Sequence, residues 1–327
     1  MKAWQVTRHG EPEDALELAD VPRPAPGPGQ LLVRVLAAAA NFPDVLLCRG
    51  TYQVRPPLPF GLGVELCGEV VETGPDVTEF KAGDRVIGGA LLPLGAFAEF
   101  TLMAAAHTVS APPTLDDAEA APFLITYQTG WFGLHRRAHL ASGETLLVHA
   151  AAGGVGSGAI QLGKAAGARV IGVVGGPAKA EVARDLGADV VIDRNNEDIV
   201  QLVKEVTGGR GADVVYDPVG GEAFQKSTKC IAFEGRIVVV GFASGVIPSA
   251  ALNHVLVKNY SILGLHWNLY ERQDPAAVRA CHAELTRLAA AGQIKTLVTE
   301  RLPLSAVPDG LRRLGAGATI GRIVFQP

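Results

Sequence analysis

The pattern of hydrophobic and polar positions changes near residue 123. Before that point, short apolar runs are separated by proline and glycine, which is typical of antiparallel β structure. This part of the sequence predicts strands over residues 2–7, 31–37, 66–72, 85–88 and 97–102. From about residue 123, strand-like runs alternate with helical segments, as they do in doubly wound α/β sheets.

The second pattern predicts a parallel sheet. Its strand-like runs are residues 145–149, 168–174, 190–192, 212–216 and 235–241. After a further run at 261–265, a helix over about 275–291 leads to a final strand at 321–325. Because this last strand can rejoin the first region, we predict two domains, residues 1–122 with 263–327, and an inserted domain at 123–262.

A strand, a glycine turn and a helix at residues 144–166 form the most informative segment. Glycines leave room for a phosphate, and the unpaired first amides of the helix point at the anion. Ala150 replaces the first glycine of the usual G-x-G-x-x-G fingerprint, so the motif alone is a weak signal. The strand that follows at 168–174 completes the expected strand–helix–strand unit and supports the assignment. We therefore predict dinucleotide binding by Gly153, Gly154, Val155 and Gly156.

The residues after the second strand indicate which dinucleotide binds. An NAD site usually has an acidic residue there, but this chain has Gly175 and Gly176. Lys179 follows closely, and Arg194 comes just after the next strand, so both can neutralise a 2′-phosphate. The sequence predicts NADPH, with Gly176, Lys179 and Arg194 among its contacts.

Composition and charge exclude several classes of partner. The 327 residues are 48% hydrophobic and 19% charged, with a net charge of -4, which is ordinary for an enzyme and gives no basic field. We expect no nucleic-acid partner and no membrane association, because no apolar run approaches the length of a membrane span. Four scattered cysteines suit reduced thiols, so we expect a cytoplasmic protein.

Several further motifs accompany the glycine turn along the whole chain. They are PGPGQLLVRV at 26–35, NFPD at 41–44, RGTY at 49–52, PLPF at 57–60, DPVGG at 217–221 and GFASG at 241–245. With these motifs the chain resembles the zinc-independent NADPH:quinone oxidoreductases, the zeta-crystallin-like branch of the medium-chain dehydrogenase/reductase superfamily. The resemblance implies an α/β fold, with a Rossmann sheet inserted in a GroES-like, mostly antiparallel β catalytic domain, and a homodimer.

The resemblance also bears on metal binding. Zinc-bearing alcohol dehydrogenases of the same superfamily use a Gly-His-Glu motif and an early cysteine to hold the catalytic metal. This chain reads Gly63-Val-Glu65, and Asn41 stands near the expected cysteine. Valine has no lone pair to offer, so we expect no metal and interpret Glu65 as structural.

Without a metal, the expected chemistry is hydride transfer to an acceptor that conjugation already activates. Tyr52 matches the tyrosine with which related enoyl-thioester reductases protonate the carbon next to the carbonyl, although it could instead only pack on the loop at Pro56 and Pro57. Asn41 is expected to meet the nicotinamide ribose or the substrate oxygen. Asp44 could do no more than cap the helix that follows.

The remaining predicted cofactor contacts follow later strands of the parallel sheet. Gly241, Phe242 and Ala243 end one strand at the carboxyl edge, where ligands bind in such folds. His266 and Trp267 follow the next strand, and Trp267 and Phe242 are expected to exclude water unless they belong to the core. Thr126 completes the predicted set.

Three functions remain open on the sequence. The leading hypothesis is an NADPH-dependent reductase of quinones or other α,β-unsaturated carbonyls. The first alternative is a 2-enoyl-thioester reductase of the enoyl-CoA or acryloyl-CoA type, for which Arg49 and Arg55 beside Tyr52 could serve a CoA phosphate. The second is an NADPH-binding protein with little turnover, like relatives that accumulate as crystallins or bind RNA.

Overall fold

The computed structural model describes residues 1–327, which form two compact units. The first unit comprises Met1–Ile125 and Lys295–Pro327, and the second comprises Thr126–Ile294. No helix is long and apolar enough to cross a lipid bilayer.

The first part of the chain is rich in strands. Its strands are β1 (Lys2–Val6), β2 (Leu16–Asp20), β3 (Gln30–Ala39), β4 (Phe60–Gly61), β5 (Glu65–Thr73), β6 (Arg85–Gly88), β7 (Phe100–Ala104) and β8 (Val109–Ser110). Its helices are short: α1 (Pro12–Ala15), α2 (Phe42–Cys48) and α3 (Asp117–Ala120), with a 3₁₀ turn at Ala105–His107.

The middle of the chain alternates strands and helices. The helices are α4 (Phe123–Trp131), which continues as a π-helical turn (Phe132–Arg137), α5 (Gly154–Ala165), α6 (Pro177–Asp185), α7 (Ile199–Val206), α8 (Gly221–Cys230), α9 (Leu252–Lys258), α10 (Leu269–Gln273) and α11 (Pro275–Ala290). The strands are β9 (Thr145–Val148), β10 (Arg169–Val174), β11 (Val190–Asp193), β12 (Ala212–Asp217), β13 (Ile231–Val239) and β14 (Ser261–Gly264).

The end of the chain returns to the first unit. It contains β15 (Val298–Pro303), a 3₁₀ turn (Leu304–Ala306), α12 (Val307–Gly315) and β16 (Arg322–Gln326).

The first unit is built mainly from antiparallel pairs. A sheet of order β15-β16-β3-β5-β6-β8 has β7 paired to β3, and a smaller sheet has the order β2-β1-β4. Only β15 and β16 are parallel neighbours. Inward-facing residues such as Leu31, Val33, Leu66 and Phe325 share one buried core, which confirms the predicted antiparallel, GroES-like β architecture.

The second unit is a six-stranded sheet in which every pair is parallel, in the order β11-β10-β9-β12-β13-β14. The central strands β9 and β12 are buried at every position, as expected for a sheet covered on both faces. A Cβ on Gly163 of α5 would lie 2.6 Å from Leu146 and 3.1 Å from Val170, so this glycine allows close packing of helix on sheet. The predicted Rossmann sheet is confirmed.

The structure places the end of the inserted unit later than the sequence indicated. The prediction assigned residues 263–327 to the first domain, but residues up to Ile294 belong to the second unit. The reason is that β14 is the sixth strand of the parallel sheet, and the chain leaves this unit only after α11. The strand β15 was not predicted, because its exposed polar residues alternate without an apolar run.

Candidate cofactor and active site

The parallel sheet brings the predicted cofactor residues of the second unit to one edge. The carboxyl ends of parallel strands meet at the same edge, and ligands bind there, where the strand order reverses, here between β9 and β12. The glycine turn follows β9, and Gly176 follows β10. The residues that follow β13 are Gly241, Phe242 and Ala243, and those that follow β14 are His266 and Trp267.

The glycine turn has the geometry of a phosphate cradle. Gly153 caps α5, and the first amide paired by the helix is that of Ser157, 2.9 Å from the Gly153 carbonyl oxygen. The three amides between them are those of Gly154, Val155 and Gly156, which helix geometry leaves for an anion. A Cβ on Gly156 would lie 2.2 Å from the carbonyl oxygen of Ala150, so only glycine fits there.

Two details of this turn were not evident from the sequence. Ala150, the substitute for the first glycine of the fingerprint, has a φ of 50°, so it takes a left-handed conformation that costs about 1 kcal/mol for a residue with a side chain. Thr126 on α4 lies against α5, since a Cβ on Gly158 would be 2.8 Å from the Thr126 methyl group. The Thr126 hydroxyl is buried and has no hydrogen-bond partner in the chain. Buried hydroxyls normally have a partner, so this one is available to a ligand.

The structure places Arg194 beside Gly175 and close enough to Lys179 for their charges to interact. A Cβ on Gly175 would lie 3.0–3.4 Å from the Arg194 guanidinium atoms, so glycine leaves the space that the arginine uses. Burial lowers the pKa of Lys179, and the positive charge of Arg194 lowers it further. Two cations held this close favour an anion between them, which fits a 2′-phosphate.

The sequence analysis missed Asp193, the last residue of β11. Its carboxylate accepts hydrogen bonds from the amides of Gly176 at 2.8 Å and Asn195 at 3.1 Å, and from the Asn196 side chain at 2.9 Å. These bonds lower the pKa of Asp193 and hold the turn at Gly176, whose φ is 94°. The Asp-Arg-Asn-Asn run, typical of an Asx turn, was the available signal.

In the first unit, Glu65 lies in a buried polar cluster. Glu65 Oε1 accepts a hydrogen bond from Asn41 Nδ2 at 2.9 Å and forms a close ion pair with Arg322 Nη2, while Oε2 accepts one from the amide of Ile125 at 3.1 Å. Arg322 Nη2 also donates to Asn41 Oδ1 at 2.8 Å. Burial raises the pKa of Glu65, whereas the adjacent Arg322 guanidinium, which stays protonated in proteins, favours the carboxylate form.

This cluster explains what the Gly63-Val-Glu65 sequence does in the absence of a histidine. The oxygens of Glu65 are occupied by protein donors, and no group of three or more His, Cys, Asp or Glu side chains in the chain is arranged to hold a metal ion. Arg322 was missed from the sequence. The only signal was a charged residue that begins an otherwise apolar run, Ile-Val-Phe, at 323–325.

Asp44 joins the same cluster. It is fully buried, and its Oδ2 accepts a hydrogen bond from the amide of Asn41 at 2.8 Å. Asp44 therefore caps the start of α2, which is the role that the sequence analysis left open for it. Burial raises the pKa of Asp44 to about 8, and the nearby charge of Glu65 adds to the increase. Asp44 is therefore protonated at neutral pH.

Tyr52 follows α2 after a turn at Gly50, whose φ is 66°. It is half-buried and packs against the core of the first unit. Burial raises the pKa of Tyr52, and Asp44 raises it further once it is ionised at higher pH, so the phenol stays protonated and can donate a proton at neutral pH. Its place in the core is also compatible with the packing role left open above.

Comparisons with known proteins agree with this fold. Residues 27–113 match the family described as "Alcohol dehydrogenase GroES-like domain", and residues 154–282 match "Zinc-binding dehydrogenase". The second match covers only the nucleotide-binding unit.

Individual relatives cover nearly the whole chain. A quinone oxidoreductase of Pseudomonas aeruginosa is 37% identical over 100% of this chain and 99% of its own. The structure of Escherichia coli quinone oxidoreductase complexed with NADPH aligns with a TM-score of 0.92 and 32% identity, over 100% of both chains. A phthioceranic/hydroxyphthioceranic acid synthase of Mycobacterium tuberculosis is 34% identical over 95% of this chain, which corresponds to 14% of the synthase.

The fold and the glycine cradle define a nicotinamide-dependent oxidoreductase. The chain belongs to the medium-chain dehydrogenase/reductase superfamily, in its quinone oxidoreductase-like branch. The family resemblance seen in the sequence is thereby confirmed.

The buried proton on Asp44 predicts a pH-dependent stability. The unfolded chain releases this proton near pH 4, whereas the folded state keeps it until about pH 8, so the free energy of unfolding falls as pH rises between these values. Asp44→Asn removes this titration. We expect the free energy of unfolding of the variant to fall less steeply with pH than that of the wild type, and the two slopes should differ by up to about 1.4 kcal/mol per pH unit.

Urea denaturation of both proteins at several pH values checks this expectation. Asp76→Asn, at an exposed carboxyl in the same unit, is the control and is expected to follow the wild type. Parallel stability curves for wild type and Asp44→Asn would show that Asp44 is ionised in the folded protein.

Proposed function

We propose that this protein uses NADPH to reduce quinones or other conjugated carbonyls without a metal ion. The observation that carries the reaction class is the Glu65–Arg322 pair, because the carboxylate that could help to hold a metal is bound to a guanidinium instead. An unassisted hydride transfer needs an acceptor already polarised by conjugation. Relatives with the name quinone oxidoreductase support the same class of acceptor.

The choice of NADPH rests on the corner formed by Gly175, Lys179 and Arg194. Lys179 and Arg194 bring two positive charges there, and the nearby carboxylate of Asp193 is already bound to backbone amides. A 2′-phosphate would form charge-assisted hydrogen bonds with Arg194 and Lys179. The Escherichia coli relative was solved with NADPH, which supports this assignment.

Separate groups of the chain bind the cofactor and supply the proton. The amides of Gly154, Val155 and Gly156 bind the pyrophosphate, and Thr126 offers its unpaired hydroxyl to the cofactor. Gly241, Phe242, Ala243, His266 and Trp267 line the edge on which the nicotinamide lies. The reduced nicotinamide supplies the hydride when bound, and Tyr52 supplies the proton from a phenol that burial keeps protonated.

A 2-enoyl-thioester reductase is the second candidate. The observation that favours it is the similarity to a segment of the mycobacterial acid synthase. The suggested contact between Arg49 and a CoA phosphate is weakened by the structure. Arg49 donates two hydrogen bonds, of 2.8 and 2.9 Å, to Glu11 and is therefore already paired. We rank conjugated ketones and quinones first for this reason, and a cofactor-binding protein with little turnover last.

The NADPH assignment predicts selective losses. Lys179→Ala and Arg194→Ala each remove a charge-assisted contact with the 2′-phosphate, so we expect the Kd for NADPH to rise about tenfold or more while that for NADH changes little. Gly175→Asp places a carboxylate against Arg194 and is expected to reverse the preference toward NADH. Fluorescence titration with both cofactors measures these constants.

Arg184→Ala provides a matched control, since Arg184 lies in the last turn of the same helix as Lys179. Equal losses of affinity for NADPH and NADH in the Lys179 and Arg194 variants would refute the proposed phosphate site.

The reaction itself predicts which acceptors are reduced. Purified protein is expected to oxidise NADPH with 9,10-phenanthrenequinone faster than with crotonyl-CoA. Tyr52→Phe removes the proton donor but keeps the ring, so kcat should fall at least about tenfold with little change in the Kd for NADPH. Faster turnover of crotonyl-CoA would favour the thioester reductase, and tight NADPH binding without turnover would favour the binding protein. A wild-type rate in Tyr52→Phe would leave Tyr52 with a packing role.

We also propose a homodimer formed through the second unit. Strand β14 is an edge strand that pairs only with β13, so its outer backbone groups are open to a second copy. Leu252, Leu256 and Val257 on the nearby helix α9 are 74–75% exposed. A two-fold axis would pair the two β14 strands antiparallel and cover this apolar face.

Sedimentation equilibrium tests the dimer. Leu252→Glu with Leu256→Glu is expected to yield monomers, whereas Leu18→Glu, at an exposed leucine of the first unit, should leave the dimer intact. A monomeric wild type, or a dimer that tolerates both charges, would contradict the proposal.

A cytoplasmic location completes the proposal. All four cysteines are free and buried, and burial raises the pKa of the Cys48, Cys67, Cys230 and Cys281 thiols. Thiols in this state suit a reducing compartment, which also supplies NADPH.

A further inference from the structure

We propose that Arg322 is a positioning residue for the reduction: it holds the Asn41 amide and the start of α2 so that Tyr52 is presented to the acceptor. This inference rests on the proposed role of Tyr52. In this proposal Arg322 does not itself contact the acceptor. Its effect on Tyr52 is transmitted through α2.

Arg322 ties together three distant parts of the first unit. It lies at the start of β16, 281 residues along the chain from Asn41 and 257 residues from Glu65, and one nitrogen, Nη2, contacts both. Asn41 precedes α2, and Glu65 begins β5. Loss of the guanidinium would therefore remove the contacts of β16 with both the helix start and β5.

The contacts allow only one orientation of the Asn41 amide. Its Nδ2 donates to the carbonyl oxygen of Ala39 at 3.1 Å and to Glu65 at 2.9 Å, and its Oδ1 accepts from Arg322. A flipped amide would put its NH₂ group against the guanidinium and its oxygen against a carboxylate. All polar groups of the Asn41 side chain are thus engaged inside the first unit, so Asn41 acts by position in this structure.

The short helix α2 transmits this constraint to Tyr52. The amide of Asn41 donates to Asp44 at the helix start, and the Arg49–Glu11 pair holds the helix end. Four residues after the end of the seven-residue helix comes Tyr52, and the amide of Thr51 just before it is bonded to the carbonyl oxygen of Leu46 at 2.9 Å. A rotation of α2 would therefore displace the Tyr52 phenol.

Stability alone does not explain the buried guanidinium. Arg322 Nε is buried without an acceptor, and Asp44 Oδ1 is likewise unpaired. Replacement of a buried ion pair by apolar residues is often neutral or stabilising, so an incompletely satisfied pair is a poor device for stability. An orienting role for the pair accounts for its presence.

The test removes both charges together, because a single change would leave an uncompensated buried charge. In Arg322→Met/Glu65→Gln we expect a folded protein whose Kd for NADPH stays within about twofold, while kcat falls at least about tenfold. In protein labelled with 3-fluorotyrosine, the ¹⁹F resonance of Tyr52, assigned from Tyr52→Phe, should shift. The resonances of Tyr216 and Tyr260, in the second unit, should not.

Two further variants complete the experiment. Arg301 lies on the neighbouring strand β15 and forms an exposed ion pair with Asp116. Arg301→Met breaks this pair and should change neither kcat nor the Tyr52 resonance. Addition of Arg322→Met/Glu65→Gln to Tyr52→Phe should cost no further activity, since both act through one phenol.

Wild-type kcat in the double variant, an unmoved Tyr52 resonance, or fully additive losses would each overturn this inference. Failure of the proposed function has a different signature, which is a wild-type protein that reduces neither acceptor. The Tyr52 resonance tests the positioning role even then, because it needs no acceptor.

Discussion

A carboxylate buried among apolar residues must be neutralised, and in this chain a guanidinium neutralises Glu65. Removal of one partner from such a pair typically costs 3–5 kcal/mol, so the two charges depend on each other. The pair joins the last strand to β5 and to the start of α2, and the Ile125 amide also binds Glu65. Protein donors thus occupy both Glu65 oxygens, and the proposed hydride transfer to a conjugated acceptor is consistent with this arrangement.

The two units contribute different kinds of interaction. The second unit offers mainly backbone amides, at a turn where the Cβ of any other residue at Gly156 would collide with the chain, and adds two cations at a corner left open by Gly175. The first unit offers side chains fixed by burial. Backbone amides bind any dinucleotide phosphate, so the proposed selectivity for NADPH depends on the few side chains at the corner.

The sequence predicted features that depend on local spacing. The glycine turn, the parallel strands and the missing acid at Gly175 are each readable within a short window, and the structure contains the predicted turn and strands. Arg322 was not predictable, because its meaning depends on Glu65, 257 residues away. Asp193 was missed because its partner amide at Gly176 follows a different strand. The late return to the first unit was missed because β14 looks the same whether it joins one sheet or the other.

In this chain the partner of the Glu65 carboxyl group is the Arg322 guanidinium, and the proposed reaction therefore needs no metal ion. Elemental analysis of purified, active protein, combined with turnover before and after exhaustive treatment with a chelator, tests it most directly. The account predicts metal far below one equivalent per chain and an unchanged rate. Stoichiometric zinc, with activity that is lost on chelation and restored by zinc, would contradict it.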